Sequence, residues 1–176
     1  DMRQKGVQAA SVCGVFSSVD SSHEEAAAEI IKDEAPHIQV TLSHEIGRIG
    51  LLERENAATL NACLAGLAAN TLGGVQEALK SLGLECPLFI TQNDGTLMGA
   101  EYASRYPVFT ISSGATNSMR GAAFLSGVTN GIVVDIGGTS TDVGVLVNGY
   151  PREASVAVSI GGVRTNFRMP DVLSIA

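Results

Sequence analysis

One short segment of the sequence combines acids, a glycine pair and hydroxyl side chains in an order suited to phosphate chemistry. It reads Asp-Ile-Gly-Gly-Thr-Ser-Thr-Asp over residues 135–142. Gly137 and Gly138 would let the backbone approach a phosphate without a Cβ clash, allow positive φ and present N–H groups to an anion. The next three residues would add hydroxyl donors: Thr139, Ser140 and Thr141. The segment therefore predicts a phosphate-binding turn, with a tight turn held by Asx and hydroxyl bonds as the simpler alternative.

Aspartates are the candidate metal-binding and catalytic residues. Asp135 ends an apolar run and is expected to hold Mg²⁺ through water, because Mg²⁺ keeps much of its water shell. Asp142 would add a second metal contact or simply fix the turn. Asp94 precedes Gly95 after another apolar run, so it is a candidate catalytic residue beside Asp135, or an ordinary turn aspartate.

Further candidates lie outside this segment. Ser113 and Gly114 precede a helical pattern, where they would present N–H groups to a phosphate or act as a plain N-cap. His44 begins half of a zinc-protease motif but lacks the second histidine, so a structural polar pair is favoured there. Arg120 and Arg164 could also reach a phosphate.

Two common nucleotide motifs are excluded around residues 135–142. A P-loop ends in Lys-Ser/Thr and enters a helix, whereas this segment has no lysine and enters an apolar strand pattern. A G-x-G-x-x-G dinucleotide turn before a helix is also absent from the segment. The remaining interpretation is a hairpin in which one strand enters the turn and a second strand leaves it.

The elements around this hairpin alternate between helix and strand patterns, which predicts an α/β fold with a mixed sheet ending in an antiparallel meander. A capping box at Ser21 and Ser22 should open the first helix. The Asn148-Gly149 pair predicts a type I′ turn. The predicted helices cover residues 22–32, 51–69, 75–82 and 113–125, with Gly73-Gly74 as a break and Gly83 as a stop. The predicted strands cover residues 7–16, 38–42, 87–91, 107–111, 132–136, 142–147 and 150–158.

Composition limits the possible partners. The 176 residues carry a net charge of −7 and no basic run, which argues against a nucleic-acid or anionic-membrane surface. No stretch approaches the roughly 20 apolar residues of a spanning helix. The three cysteines form no C-x-x-C pair and lie in apolar runs, so we expect reduced, buried thiols and a cytoplasmic location.

Nearly the whole chain resembles the hydantoinase/oxoprolinase family, whose members belong to the actin, sugar-kinase and heat-shock-chaperone superfamily. The most specific match is the 135–142 segment itself. The similar stretches, in order, are residues 12–25, 43–45, 53–62, 88–95, 113–114 with 121–122, and 135–142. One departure is Ala115-Thr116, where the family usually has Pro-Ala after Ser-Gly.

The resemblance implies a ribonuclease H-like, actin-like ATPase fold. Residues 1–56 would end a first, hydantoinase N-terminal-like domain, and residues 57–176 would begin the hydantoinase A-like nucleotide-binding domain. Family members carry an earlier Asp-x-Gly-Gly-Thr hairpin and a later glycine-rich segment, and this sequence has neither. The chain is therefore expected to be an internal fragment that supplies the second of two phosphate sites and is inactive alone.

The same resemblance implies ATP and Mg²⁺ as cofactors and ATP-dependent hydrolysis of a cyclic amide such as hydantoin or 5-oxoproline. Partners would be a small-molecule substrate, the remaining domains and a second, hydantoinase B-like subunit, with no nucleic acid and no membrane. Three alternatives stay open: an ATP-dependent ketone carboxylase subunit, a sugar- or acetate-kinase-like phosphotransferase, and a non-catalytic actin-like nucleotide-binding module.

Overall fold

The computed structural model describes residue 2, residues 4–154 and residues 157–176, and these divide into two compact units. Unit 1 contains the described residues of Asp1–Cys86, Ser104–Val108 and Ala157–Phe167. Unit 2 contains those of Pro87–Ala103, Phe109–Val156 and Arg168–Ala176. The predicted boundary after residue 56 would separate two domains of the family and is a different division from these two units, so it stays a prediction.

Unit 1 is built on a β-α-β arrangement. Strand β1 (Ala9–Val12) pairs in parallel with β2 (Gln39–Leu42), and helix α1 (Ser22–Glu34) connects them. A 3-10 turn at Ser43–Glu45 follows β2, and helix α2 (Leu51–Ser81) packs on both strands. Acidic residues in the first turn of α1 complement its dipole, but the predicted capping box is wrong. The Ser21 hydroxyl donates to the Glu25 carboxylate at 2.6 Å instead of to a backbone N–H.

Helix α2 is continuous, so the predicted break at Gly73-Gly74 is wrong. Each glycine costs about 1 kcal/mol relative to alanine in a helix, which a helix of 31 residues tolerates. Gly83 does stop the helix: its φ is +72°, and the Leu84 N–H donates to the Leu79 carbonyl at 3.0 Å.

The buried face of α2 is not the predicted apolar one. Apolar residues recur at helical spacing and would form the buried face: Leu52, Leu60, Cys63, Leu64 and Leu67. In the structure, Leu52 and Leu67 are about two-thirds exposed. The buried residues are small or polar: Arg54, Ala57, Ala58, Asn61 and Ala65. Small side chains let the helix approach β1 and β2 closely, so this stripe packs against the strands. Leu60 and Leu64 are half-buried beside it, and Leu52 and Leu67 are exposed.

Unit 2 contains a four-stranded antiparallel sheet that confirms the predicted meander. Its strands are β5 (Gly131–Ile136), β6 (Thr141–Val147), β7 (Tyr150–Pro151) and β10 (Val172–Ile175). Strand β6 pairs with β5 along one edge and with both β7 and β10 along the opposite edge. Asn148 and Gly149 have φ of +53° and +80°, as a type I′ turn requires. Parallel and antiparallel pairings lie in separate sheets among the described strands, not in one mixed sheet.

Helix α4 (Ser113–Ser126) covers one face of this sheet. Met119 and Ala123 of α4 form a core with Leu146 of β6, and Val133 and Val172 pack against it. Gly144 of β6 permits this contact, because a Cβ there would lie 2.5 Å from the Met119 sulfur. The helix thus packs directly behind the strands that carry the candidate hairpin.

Several shorter elements differ from the sequence predictions. The expected strand at residues 107–111 is a 3-10 helix, Pro107–Thr110, and the strand predicted at residues 7–16 is limited to β1. Part of the predicted strand at residues 150–158 lies outside the described residues. Two hairpins and a short helix complete the described structure: β3 (Phe89–Thr91) with β4 (Leu97–Gly99), β8 (Val158–Ile160) with β9 (Val163–Thr165), and α3 (Ala100–Arg105).

Two expectations from composition have different outcomes. None of the helices in the described residues is long and apolar enough to cross a membrane. The expected burial of the cysteines is wrong for Cys63 and Cys86, which are exposed, while Cys13 is half-buried.

Candidate functional site

The 135–142 segment forms the predicted strand–turn–strand hairpin of β5 and β6. Asp135 lies directly opposite Asp142, and Ile136 lies opposite Thr141. The four-residue connection, 137–140, is exposed and is closed by the Gly137 N–H, which donates to the Ser140 carbonyl at 2.9 Å. The sequence therefore identifies this hairpin correctly, and the structure adds its register.

Two carboxylates face each other across the hairpin. Residues directly opposite on antiparallel strands have Cβ atoms about 4.5–5.5 Å apart, and like charges there are destabilising. The Ser174 hydroxyl of β10 donates to Asp142 at 2.5 Å, which holds one carboxylate in place. A cation between Asp135 and Asp142 would relieve the repulsion, so the pair fits the metal role predicted for both residues.

The chemistry of this pair suits Mg²⁺ rather than a fully protein-bound ion. No group of three or more His, Cys, Asp or Glu side chains that could hold a metal occurs in the described parts of the chain. Mg²⁺ in nucleotide enzymes is held by one or two carboxylates together with phosphates and water. Asp135 and Asp142 would supply the carboxylates, leaving the other positions to the nucleotide and to water.

The glycine loop is open, although its backbone differs from the prediction. Neither Gly137 nor Gly138 has a positive φ. A Cβ on Gly138 would meet no atom within 4 Å, and one on Gly137 would lie 3.2 Å from the Ser140 carbonyl oxygen. Gly138 is therefore not required by the fold as described, and the space over it is available to a ligand.

The Asp94 turn shows the simpler of its two predicted arrangements. The Asp94 carboxylate accepts hydrogen bonds from the Thr96 N–H at 2.8 Å and the Thr96 hydroxyl at 2.6 Å. Gly95 has a φ of +83°, and a Cβ there would lie 2.9 Å from Pro151 Cδ and 3.0 Å from Arg120 Cγ. These contacts account for Asp94 as a turn residue, and its catalytic role stays a prediction.

The start of α4 places Ser113 and Gly114 in its first turn without a side-chain cap. Ser112, at the N-cap position, is left-handed with a φ of +63°. Thr116 is fully buried and donates to the Gln92 carbonyl at 3.1 Å. That bond ties α4 to the turn after β3, while phosphate binding by Ser113 and Gly114 stays a prediction.

The arginines considered for phosphate contacts have structural partners. Arg120 donates to the Gly149 carbonyl, and its guanidinium lies 4.0 Å from the centre of the Tyr150 ring. Arg164 pairs with Glu53 at 3.2 Å. The candidate phosphate site therefore consists of backbone, hydroxyls and carboxylates, in agreement with the acidic composition.

Unit 1 contains a buried polar network that the sequence analysis missed. The charged run Glu53-Arg54-Glu55 predicts a solvated helix face. Arg54 is only 1% exposed, so that prediction is wrong for this residue. Its guanidinium donates to the Ser43 hydroxyl at 2.9 Å and to the Gly14 carbonyl. Glu24, also 1% exposed, accepts hydrogen bonds from the Gly14 N–H at 2.7 Å and the Ser43 hydroxyl at 2.5 Å.

The same carboxylate holds His44. The other Glu24 oxygen accepts from the His44 backbone N–H at 3.1 Å and lies 2.7 Å from ring atom Nδ1. Burial by itself would raise the pKa of Glu24, but hydrogen bonds from Ser17, Ser43, Gly14 and His44 outweigh it and lower the pKa to about 2. Glu24 is thus a charged, fully bonded anchor. The sequence offers one signal for the network: Arg54 lies at helical spacing with Ala57, Ala58 and Asn61, all of which are buried in α2.

Comparisons with known proteins agree on one family. Residues 54–176 match the family model described as hydantoinase/oxoprolinase. The caprolactamase subunit alpha of Pseudomonas jessenii is 27% identical over an alignment of 169 positions, which covers 94% of this chain and 22% of that protein. The acetophenone carboxylase gamma subunit of Aromatoleum aromaticum is 26% identical over an alignment of 184 positions, gaps included, which covers 99% of this chain and 25% of that protein.

A solved structure shows the same fold. The crystal structure of the ATP-dependent caprolactamase from Pseudomonas jessenii superposes with a TM-score of 0.84 at 24% identity, covering 99% of this chain and 26% of that one. The mixed α/β architecture is therefore shared. The chain spans about a quarter of the length of the relatives it matches.

Proposed function

The chain belongs to the hydantoinase/oxoprolinase family, and we propose that the whole protein is an ATP-dependent hydrolase that opens cyclic amides of the hydantoin or 5-oxoproline kind. This chain would contribute one of its phosphate-binding hairpins. The observation that carries the proposal is the pairing of Asp135 opposite Asp142 beside the open loop at Gly138. Two carboxylates and an unobstructed backbone turn are what a metal–phosphate group needs.

The proposed reaction uses ATP to activate an amide that water attacks poorly. The amide oxygen would attack the γ-phosphorus and release ADP, and water would then add to the activated carbon. Breaking the C–N bond then opens the ring, with a proton passing to the amine, and leaves an acyl phosphate. A second water hydrolyses this acyl phosphate to the carboxylate and free phosphate. Mg²⁺ bound at the aspartate pair would neutralise phosphate charge, while the N–H groups of the glycine loop and nearby hydroxyls position the phosphates.

We further propose the actin-like arrangement for the whole nucleotide site. In it, residues 135–142 are the second of two facing hairpins, and the other would come from elsewhere in the protein. Asp94, Ser113 and Gly114 would lie at the same site, with Asp94 as a second catalytic residue. A hydantoinase B-like subunit is the proposed partner, which is supported by relatives that are themselves subunits of larger enzymes.

A ketone carboxylase is the second candidate function. The acetophenone carboxylase gamma subunit is 26% identical to this chain and the caprolactamase subunit is 27% identical, so sequence similarity does not separate the two reactions. Both would activate an oxygen atom with ATP at the same hairpin. They differ in the nucleophile that follows, which is water in one case and the carbanion of an enolate in the other.

ADP release by the full-length protein with its partner subunit tests these functions. Hydantoin, 5-oxoproline and a simple lactam form one arm, and a ketone with bicarbonate forms the other. Stimulation by a cyclic amide supports the first proposal, and stimulation only by ketone and bicarbonate replaces it with the second. ATP turnover that responds to neither would contradict both.

Gly138→Ala is the sharpest variant for the role of the hairpin. Because nothing lies within 4 Å of the added Cβ, its thermal stability should match the wild type within experimental scatter. A methyl group over the phosphate path should nevertheless weaken ATP binding about tenfold or more, the cost of losing one good hydrogen bond to a charged group. Gly99→Ala, also with open space around the Cβ, is the matched control. Equal ATP affinity in both variants would refute the phosphate role of the loop.

A further inference from the structure

Three polar side chains form a row across the sheet of unit 2. The strand register places Asp135 of β5 and Ser174 of β10 directly opposite Asp142 of β6, one on each side of it. Residues directly opposite on neighbouring antiparallel strands project from the same face of a sheet. The row therefore consists of two carboxylates and, next to one of them, a hydroxyl.

The row projects from the sheet face that helix α4 covers. Side chains two residues apart on a strand share a face, so Asp142 shares its face with Gly144, and Ser174 shares its face with Val172. Val172 packs against the core that contains Met119 of α4, and a Cβ on Gly144 would lie 2.5 Å from the Met119 sulfur. An ion bound by the row would therefore lie on the α4 side of the sheet, next to this apolar core.

The Ser174 hydroxyl engages one of the two oxygens of Asp142. It donates to Oδ1 at 2.5 Å. No other hydrogen bond reaches the Asp135 or Asp142 carboxylate in the described parts of the chain. Because each oxygen of a carboxylate can accept on its own, Oδ2 of Asp142 is left for a metal ion or for one of its waters.

This hydrogen bond opposes the repulsion within the aspartate pair. Like charges directly opposite on antiparallel strands destabilise each other, and a carboxylate at the sheet surface can relieve the repulsion by turning into solvent. A hydroxyl that donates to Asp142 keeps the carboxylate in the row and stabilises its negative charge. Hydrogen bonds of this kind orient the carboxylates that bind metals, and their loss typically lowers metal affinity by about 10–100-fold.

We propose that Ser174 is a positioning residue of the metal site. Its hydroxyl holds Oδ1 of Asp142, so that Oδ2 and the Asp135 carboxylate together bind one hydrated Mg²⁺. Strand β10 thereby becomes part of the site, although Ser174 follows Asp142 by 32 residues in the sequence. The proposal rests on the proposed function, because it assumes that the aspartate pair binds the metal that accompanies ATP.

Titration of the ¹⁵N-labelled chain with Mn²⁺, followed by NMR, tests this role, because a bound Mn²⁺ ion broadens the amide signals near it. Wild type should show saturable broadening at Asp135, Asp142 and Ser174. Ser174→Ala should need about tenfold more Mn²⁺, or higher, for half-maximal broadening. Ser174→Thr keeps the hydroxyl and should return that concentration close to the wild-type value. Ser174 is exposed, so we expect both variants to fold.

A matched control and a second ligand make the result decisive. Ser159→Ala, at an exposed serine of β8, should bind Mn²⁺ as wild type does. Equal Mn²⁺ affinity in Ser174→Ala and Ser159→Ala would overturn the role of Ser174, and so would a lower melting temperature of Ser174→Ala without any loss of affinity.

A parallel titration with ATP and Mg²⁺ separates this inference from the proposed function. Saturable shifts at residues 135–142 that are the same in wild type and Ser174→Ala would overturn the role of Ser174 and leave the proposed function in place. A wild-type chain that responds neither to Mn²⁺ nor to ATP with Mg²⁺ at these residues would overturn both.

Discussion

Replacing Glu24 with glutamine removes a buried carboxylate on which four hydrogen bonds converge. Gly14, Ser43 and two groups of His44 all donate to it or lie within bonding distance of it. These bonds lower the pKa of Glu24 from its ordinary 4.5 to about 2 in the folded protein. Each tenfold change in proton affinity is worth about 1.4 kcal/mol, so the charged form of Glu24 contributes about 3 kcal/mol to folding.

The pH range of this contribution follows from the direction of the pKa change. Because the pKa is lower in the folded state than in the unfolded state, the stabilisation is complete above about pH 4.5 and is lost as the pH falls toward 2. Urea unfolding of wild type and Glu24→Gln at several pH values between 7 and 2 measures it. The difference in unfolding free energy between the two proteins should be about 3 kcal/mol at pH 7 and should shrink through this range.

A control on the same helix separates this effect from general acid denaturation. Glu29 pairs with Lys32 at 3.6 Å on the surface, where its side chain is 70% exposed. Glu29→Gln should therefore follow the wild-type curve within a few tenths of a kcal/mol. A constant difference between wild type and Glu24→Gln over the whole pH range would refute the reasoning, since it would show that the carboxylate is protonated to the same degree in both states.

Two further substitutions test the packing of each unit. Asn61→Ala should lower the unfolding free energy by about 2–3 kcal/mol, as measured by urea unfolding. Asn61 is fully buried and hydrogen-bonds to Thr41, to the Arg105 carbonyl and to the Val108 N–H. A loss below about half a kcal/mol would contradict this. Gly95→Ala should lower the melting temperature, because Gly95 has a positive φ and Pro151 lies close to it. Gly99→Ala, where the added Cβ meets no atom, should lower it much less. Equal decreases in melting temperature would show that the turn tolerates a side chain at residue 95.

The sequence predicts the candidate hairpin well because local chemistry determines it. Apolar runs on both sides of a glycine pair define two strands and a turn, and the register then places Asp135 opposite Asp142. The Asn148-Gly149 turn is equally local, since few other residue pairs accept two positive φ values. Features of this kind need no knowledge of distant contacts.

The errors arise where distant contacts decide the outcome. The 107–111 run has strand propensity, but Val108 is fully buried, and its N–H bonds to Asn61 from a helix more than forty residues earlier. Helix α2 buries alanines rather than leucines because the strands beneath it come close. Arg54 is buried because Ser43 and Gly14, 11 and 40 residues earlier in the chain, supply its acceptors. None of these contacts is encoded in the spacing of a single segment.

Other predictions concern the protein as a whole and stay predictions. They are the domain boundary after residue 56, the cytoplasmic location and the inactivity of this chain alone. The last is tested by incubating the isolated chain with ATP, Mg²⁺ and a cyclic amide. Robust ring opening by these 176 residues would contradict it.

The aspartate pair allows the central claim to be tested through the stability of the ligand-free protein and through its affinity for nucleotide. Asp135→Asn removes the repulsion with Asp142, so without ligand the variant should be slightly more stable than wild type, by about 0.2–1 kcal/mol. Asp171→Asn, at an exposed aspartate paired with Arg152, is the matched control. An aspartate whose role is to bind metal and phosphate is expected to lower the stability of the ligand-free protein in this way.

The most direct measurement is an NMR titration of the wild-type chain, Asp135→Asn and Asp171→Asn with ATP and Mg²⁺. The account predicts saturable shifts at the amides of residues 135–142 in wild type and in Asp171→Asn, which Asp135→Asn abolishes or weakens about tenfold or more. Nucleotide binding that is indifferent to Asp135, or shifts that leave residues 135–142 unchanged, would contradict the assignment of this hairpin as a phosphate site.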